Sequence, residues 1–187
     1  MSQEIKRVKR ELKYKGVVID VYSDTMAFPD GNTANWDYIH HIGAAAVVPV
    51  MDNGDILMVR QFRNALDRYT LEIPAGKLDA PEESGLVCAT RELEEETGYR
   101  SSELEWLITL RTTVAFCNER IEIFVAKNLI ATKQNLDEDE YVDVESCPLS
   151  TLLEKIYSGQ IEDSKTVSAL LAYAYKVNQN KKIEVCE

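Results

Sequence analysis

Residues 76–99 read GKLDAPEESGLVCATRELEEETGY. From about residue 86 to residue 97 the stretch predicts a helix. Leu86, Ala89, Thr90 and Leu93 recur at helical spacing, Ser84 stands where an N-cap belongs, and Gly98 stands where a terminating glycine belongs. On that helix Glu92, Glu95 and Glu96 fall at i, i+3 and i+4, which puts three carboxylates on one face, away from the apolar stripe. Like charges at this spacing repel and weaken a bare helix. A hard divalent cation with several oxygen ligands removes the repulsion and leaves room for water and phosphate oxygens. Arg91 is placed to hydrogen-bond and orient a neighbouring carboxylate. The plain alternative is a solvated acidic helix face, a common surface pattern.

Composition limits what such a site can serve. The chain has 187 residues, one ordinary domain or one domain with a small appendage. That is long enough to bury a core without disulfides. Lys plus Arg total 21 against 32 for Asp plus Glu, a net charge of −11. No nucleic-acid partner is expected, because a phosphate backbone needs a basic surface. The longest apolar run, residues 42–51, is too short to span a bilayer, so no membrane partner is expected either. The opening MSQEIKRVKRELK has no apolar signal core, and a cytoplasmic location is the expectation. The four cysteines, Cys88, Cys117, Cys147 and Cys186, form no short cluster and read as reduced thiols. His40 and His41 would point to opposite faces of a strand. Zinc is therefore disfavoured, and carboxylate and carbonyl ligands suit magnesium or manganese.

Outward from the helix, strands and helices intersperse. Residues 15–28 alternate as a strand, Pro29-Asp30-Gly31-Asn32 signals a turn, and 34–41 is a second strand. This N-terminal hairpin must pack on something to be stable. Strands at 44–50 and 55–62 flank a hairpin turn at Asp52-Asn53-Gly54, and 71–76 is a short strand entering a loop. Further strands are predicted at 105–112, 121–127 and 141–145, with an acidic loop, Asp137-Glu138-Asp139-Glu140, before the last. Two helices close the chain, one over 152–158 capped by Ser150, the other capped by Asp163 or Ser164 and ending near 177. The fold class is α+β with a mixed sheet, divided into an N-terminal β segment, 1–42, and a main domain, 43–187.

Gly76, Arg91, Glu92, Leu93, Glu95, Glu96 and Gly98 resemble the signature of the Nudix hydrolase family: a Gly, five residues, a Glu, seven residues, then Arg-Glu-aliphatic-x-Glu-Glu-x-Gly-aliphatic. The interval from Gly76 to Arg91 is one residue longer than the signature. Either Glu82 keeps the spacing to the glycine or Glu83 keeps the spacing to the arginine. Glu83 is preferred, because the helix fixes its side rigidly and a loop absorbs an insertion. Tyr99 replaces the final aliphatic residue. The resemblance implies a Nudix-type α/β/α sandwich, with Glu92, Glu95 and Glu96 as ligands of catalytic Mg2+ (or Mn2+) and the Ala75 carbonyl as a further ligand.

Segments outside the signature are similar to the ADP-ribose pyrophosphatase branch. These are Val59-Arg60-Gln61-Phe62-Arg63, the run Leu71-Glu72-Ile73-Pro74-Ala75-Gly76-Lys77, the acidic loop, and Gly159-Gln160-Ile161-Glu162-Asp163-Ser164-Lys165-Thr166. The branch likeness implies a homodimer built through the N-terminal segment. It also implies substrate contacts at Arg63 (phosphate), Gly76 and Glu119, with Arg111 as a second cation. Trp36-Asp37 adds an independent hint, since a tryptophan stacks on a purine and a neighbouring carboxylate accepts from its amino group. One departure bears on the substrate: Thr113-Val114-Ala115-Phe116 stands where the branch has a Ser-Pro-Gly-Phe-like stretch, with Val114 for the proline.

The function so implied is hydrolysis of the diphosphate of a nucleoside diphosphate sugar, ADP-ribose first, to AMP and ribose 5-phosphate. Glu138 matches the family's proton acceptor, Glu140 is second choice, and Glu95 is to be tested if both are silent. The alternatives are another sugar nucleotide or dinucleotide as substrate, or a non-catalytic domain that senses a nucleotide sugar.

Overall fold

The computed structural model describes residues 4–138 and 140–184. Asp139 of the acidic loop and Cys186 lie outside them. The chain divides into two compact units, one running up to Gly43 and including Arg111–Arg120, the other comprising Ala44–Leu110 and everything from Ile121 onward. Segment 111–120 is thus added to the N-terminal unit, an assignment with no signal in composition.

The first unit is a three-stranded antiparallel sheet, β1 (Lys6–Lys15), β2 (Asp20–Ala27) and β3 (Thr33–His40), in the order β1-β2-β3. The expected hairpin is β2–β3, and β1 is an extra strand hidden by its charge. Every residue of β1 is exposed, as suits an edge strand whose lysines and arginines discourage pairing with other chains. Arg10 ties it down with a bidentate bond to Asp24 at 2.7 and 2.6 Å. Its guanidinium also lies 3.7 Å from the centre of the Tyr38 ring, a cation–π contact.

The second unit is built on β4 (Ala44–Pro49) and β10 (Arg120–Lys127), which pair in parallel with Ala46 opposite Ile123. β7 (Ala75–Lys77) and β9 (Glu103–Arg111) flank them in the order β7-β4-β10-β9. A second sheet has the order β12-β5-β6, from Val142–Cys147, Ile56–Arg63 and Arg68–Glu72. β8 (Tyr99–Arg100) and β11 (Ile130–Ala131) form a short pair. The turn at residues 52–54 joins strands of different sheets, which an isolated bridge, Val50 to Ile56, links.

Alternation along β4 sends side chains to two cores. Ala45 and Val47 pack with Cys88, Ala89 and Leu93 of α1 (Gly85–Thr97). Ala46 and Val48 pack on the other side with Ile56, Met58, Leu152 and Leu170. Those last two belong to α2 (Leu149–Tyr157) and α3 (Ser164–Glu184). Helices therefore cover both faces, the expected α/β/α sandwich. Deleting a side chain such as Leu93 from a core of this kind costs about 2–5 kcal/mol.

α1 starts as expected, with Ser84 accepting from the Val87 N–H. It ends at Gly98, whose φ of 69° favours glycine and whose N–H bonds the Glu94 carbonyl. The apolar stripe is shifted: Leu86 and Thr90 are exposed, and Cys88 takes their place beside Ala89 and Leu93. Ser150 is not a cap, because α2 begins one residue earlier, after Pro148. Asp163 caps α3 through the Thr166 N–H at 3.0 Å, and the helix continues past 177 to Glu184. Among the described residues no helix is long and apolar enough to cross a membrane.

Candidate functional site

The rotation of α1 that buries Leu93 carries Glu92 and Glu96 with it against β7. Glu92 is 9% exposed and Glu96 only 2%, so the carboxylate face is not the solvated surface its charge suggests. The Ala75 N–H donates to Glu96 Oε2 at 2.9 Å. Gly76 leaves the space that the Glu92 carboxylate fills: a Cβ there would lie 1.8 Å from Glu92 Oε1. Burial pushes Glu96 up to about 8, reinforced by Glu92 and Glu140 and opposed by the Ala75 N–H and Arg63. Burial likewise pushes Glu92 up to about 7, with Arg91 opposing and Glu95 and Glu140 reinforcing. Two carboxyls so displaced hold protons near neutral pH, and a nearby cation would favour their charged forms.

Arg91 meets part of that demand. Its Nη1 donates to Glu92 Oε1 at 2.7 Å and to Glu95 Oε2 at 2.9 Å. Nη2 reaches the Lys77 carbonyl at 3.2 Å, and Nε lies 3.3 Å from Asp79 and 3.6 Å from Glu83. Glu83 turns inward and Glu82 is exposed, so the side chain that faces the arginine is the one that keeps its spacing.

The acidic loop is delivered to this face by the chain before it. Asn135 N–H bonds the Glu95 carbonyl at 3.0 Å, Thr132 N–H bonds the Gly98 carbonyl at 2.7 Å, and Gln134 Nε2 bonds the Glu96 carbonyl at 2.6 Å. These bonds satisfy carbonyls that the last turn of α1 leaves open. Glu140 then acts by charge on both Glu92 and Glu96, whereas Glu138 sits exposed in the turn.

Arg63, at the end of β5, is held by Glu72 through Nε at 2.8 Å and Nη2 at 2.6 Å, and its charge also acts on Glu96. Glu72 is buried, yet Arg63, Lys165 and Thr70 outweigh the burial and hold it down at about 2. Glu72 and Lys165 sit within the branch-like segments, but no spacing rule pairs residues 93 positions apart.

The remaining expected substrate residues belong to the first unit. Trp36 and Asp37 line a cavity of about 640 Å³ with Val21, Ile39, Ala115 and Phe116. The loop 111–120 is clipped to β3 by Ile39 N–H to the Phe116 carbonyl (2.6 Å) and Asn118 N–H to the Ile39 carbonyl (3.2 Å). Arg111 bonds the Asn118 carbonyl at 2.6 Å. Glu119 accepts from Thr112 at 2.5 Å and lies 3.7 Å from His41 Nδ1. In this structure both therefore serve the loop's own architecture.

The donors in the second unit are of the kind a hard divalent cation takes: carboxylate oxygens, two of them buried and short of positive charge. Among the described residues no three such side chains converge on one point. Glu92 and Glu95 are turned onto Arg91, and Glu96 onto the Ala75 N–H. By its chemistry the donor set, carboxylate oxygens on one helix face, fits a hard cation.

Comparison with known proteins bears on the fold and the family. A solved ADP compounds hydrolase superposes with a TM-score of 0.85 at 23% identity, over 95% of this chain and 96% of that one, a likeness of fold. The chain is 40% identical over 171 residues to an ADP-ribose pyrophosphatase of Bacillus subtilis (strain 168), covering 90% of this chain and 92% of the relative. It is 42% identical over 170 residues to a methanol dehydrogenase activator of Bacillus methanolicus, covering 89% and 91%. The NUDIX domain model matches residues 40–170, a span that holds the whole carboxylate helix and the loop that feeds it, and the chain belongs to the Nudix hydrolase family.

Proposed function

We propose that this Nudix hydrolase cleaves the diphosphate of a nucleoside diphosphate sugar, ADP-ribose first, releasing AMP and ribose 5-phosphate. The observation that carries the reading is the pair of buried, mutually repelling carboxylates, Glu92 and Glu96, packed against the backbone of Ala75 and Gly76. A magnesium or manganese ion held by Glu92, Glu95 and Glu96, with the Ala75 carbonyl as a further donor, supplies Lewis-acid polarisation of the diphosphate. Arg63 holds a phosphoryl oxygen, countering the long-range repulsion of a −11 chain. Glu140 takes the proton of the attacking water, favoured over Glu138 because its charge already acts on Glu92 and Glu96. Trp36 stacks on the base and Asp37 accepts from its amino group. The enzyme works in the cytoplasm as a homodimer built through the N-terminal unit, whose β1 exposes Val8, Leu12 and Tyr14.

A second reading keeps the chemistry and changes the sugar nucleotide. Val114 is 84% exposed, in the loop that lines the Trp36 cavity, and it lacks the rigidity of the proline expected there. A non-catalytic sensor has no need of two acidic side chains buried against their preference for water.

The test is a panel of ADP-ribose, other sugar nucleotides, NADH and diadenosine polyphosphates, each with magnesium and with manganese. ADP-ribose is expected to give the highest kcat/KM. Glu96→Gln is expected to lower kcat by ~10²–10³, as for loss of one electrostatic contributor. Absence of hydrolysis across the panel, or near wild-type turnover of Glu96→Gln at saturating metal, refutes the reading.

A further inference from the structure

Beneath Arg63 runs a line of buried charge that none of the roles above uses. Glu72, 2% exposed, accepts four hydrogen bonds: from Arg63 Nε (2.8 Å) and Nη2 (2.6 Å), from Thr70 Oγ1 (2.6 Å) and from Lys165 Nζ. Lys165 is itself buried, and its ammonium also donates to Asp163 Oδ2 at 3.0 Å. Asp163 in turn caps α3, accepting from the Thr166 N–H at 3.0 Å and hydroxyl at 2.6 Å. Thr166 accepts from the Ile73 N–H at 3.1 Å, tying the start of α3 to the strand that leads into Ala75.

Stability alone does not account for this line. The fork of Arg63 already satisfies Glu72 with a bidentate pair. A second buried cation adds desolvation cost, and buried ion networks are seldom more stable than apolar packing of the same volume. The second cation does matter to Arg63. With Glu72 as its sole partner, the guanidinium is held firmly but its charge is cancelled. Lys165 donates to Glu72 Oε2, the oxygen that also accepts from Arg63 Nη2, so it shares the neutralisation of Glu72 and leaves the guanidinium a net positive edge. Asp163 draws on Lys165 in turn, but the N-terminus of α3 offsets much of its charge. Arg63 spends Nε and Nη2 on Glu72, while Nη1 has no hydrogen bond among the described residues and the side chain is 38% exposed. A guanidinium clamped at one edge and open at the other is preorganised for an anion.

We propose that Lys165 is a positioning residue for the diphosphate: it shares the neutralisation of Glu72 at Oε2, so that Glu72 fixes the orientation of Arg63 without cancelling the charge Arg63 presents to a phosphoryl oxygen. This deepens the proposed function and rests on Arg63 being a diphosphate ligand. Lys165 touches no substrate and acts only through Glu72 and Arg63.

The test is steady-state hydrolysis of the best panel substrate by full-length variants. K165Q removes the charge and keeps a donor for Glu72. It is expected to raise KM about 10-fold, the scale of effects relayed through a second layer of contacts, with kcat within a factor of about 3 and KM less sensitive to salt than in the wild type. K165R restores KM. In an R63Q background K165Q adds nothing, since residues acting through one another are not additive. D163N supplies an effect of opposite sign. Asn caps a helix as well as Asp, and loss of the carboxylate that competes for the ammonium is expected to lower KM, which structural damage does not do. Because D163N keeps the helix cap, it tests the idea even if K165Q fails to fold. The proposal is overturned if folded K165Q keeps the wild-type KM, if K165Q and R63Q combine additively, or if D163N leaves KM unchanged or raises it. If R63Q itself leaves KM unchanged, the role of Arg63 fails first and that of Lys165 with it. If R63Q raises KM and K165Q does not, only the role of Lys165 fails.

Discussion

Metal binding to this protein should release protons near neutral pH. Burial lifts Glu92 to about 7 and Glu96 to about 8 in the metal-free protein, and a cation binds only the charged forms. With those values as the apparent constants of a coupled pair, Glu92 is about half protonated at pH 7 and Glu96 about nine-tenths. Binding that engages both then releases ~1.4 protons at pH 7, rising to ~1.9 at pH 6 and falling to ~0.1 at pH 9. Apparent affinity for magnesium should climb with pH at that slope and flatten above about pH 8. The sign for stability is the reverse of the usual carboxylate case. A folded-state value above the ordinary 4.5 means that the folded protein holds more protons than the unfolded chain. Metal-free stability therefore falls as pH rises from about 4.5 towards 8, and bound cation restores it. The assay is calorimetric titration of magnesium in two buffers of equal pH and different ionisation enthalpy, whose difference gives the proton count. Glu96→Gln should leave about 0.5 proton at pH 7. A binding enthalpy independent of buffer at pH 7, with flat affinity from pH 6 to 9, would refute the view that buried Glu92 and Glu96 are the ligands.

Three further outcomes are expected. Glu140→Gln should lower kcat by ~10²–10⁴, the range for a proton acceptor, while KM and magnesium affinity hold and Glu138→Gln stays near wild type; the converse result moves the base two residues back. Trp36→Ala should raise KM by the ~1–3 kcal/mol of one base–aromatic stack and spare kcat, and an unchanged KM returns Trp36 to ordinary packing beside Phe28, whose ring it meets edge-on at 5.9 Å. Light scattering should give a dimer at micromolar concentration, because a three-stranded sheet with exposed Val8, Leu12 and Tyr14 needs a covering surface; a monomer contradicts this.

What could be read from the sequence was local. Ser84 and Gly98 bracket α1 because capping chemistry acts within a few residues, and the period of the helix sets Glu92, Glu95 and Glu96 on one side. Their burial was not legible, because it depends on how α1 rolls onto β4 and β7, and Cys88 rather than Leu86 turns out to define the inner face. β1 was missed because charged residues outnumber Val8, Leu12 and Tyr14 and mask their spacing, and the Arg10–Asp24 pair that anchors it spans 14 positions. The bonds from residues 132–135 to the end of α1, and the Glu72–Lys165 contact, depend on sheet topology. No residue-type pattern encodes them, so Glu140 could be named from the sequence but not ranked above Glu138.

The one-residue excess between Gly76 and Arg91 tests whether the signature is a spacing or a set of contacts. Both ends of the interval are fixed. Gly76 is opposite Ala45 in the β4–β7 ladder, and its missing side chain is what lets the Glu92 carboxylate lie there. Any other residue at 76 would force that carboxylate to swing away from the site. Arg91, one position before it, bonds back to the Lys77 carbonyl. Helix and strand are therefore locked to each other at 76–77 and 91–92, and the extra residue has to be taken up between them. Residues 79–83 take it up: the Asp79 N–H donates to the Glu83 carboxylate at 2.7 Å, closing a small loop, while Glu82 is left exposed. Glu83 keeps its approach to Arg91 Nε. The contacts are preserved and the count is not, which follows when a rigid helix register governs one end and a loop, whose closure cost grows only slowly with length, governs the other. Insertions should accordingly be tolerated between Asp79 and Glu83, and not within α1 between Gly85 and Arg91, where each added residue would turn Glu92 and Glu96 about 100° relative to the start of the helix.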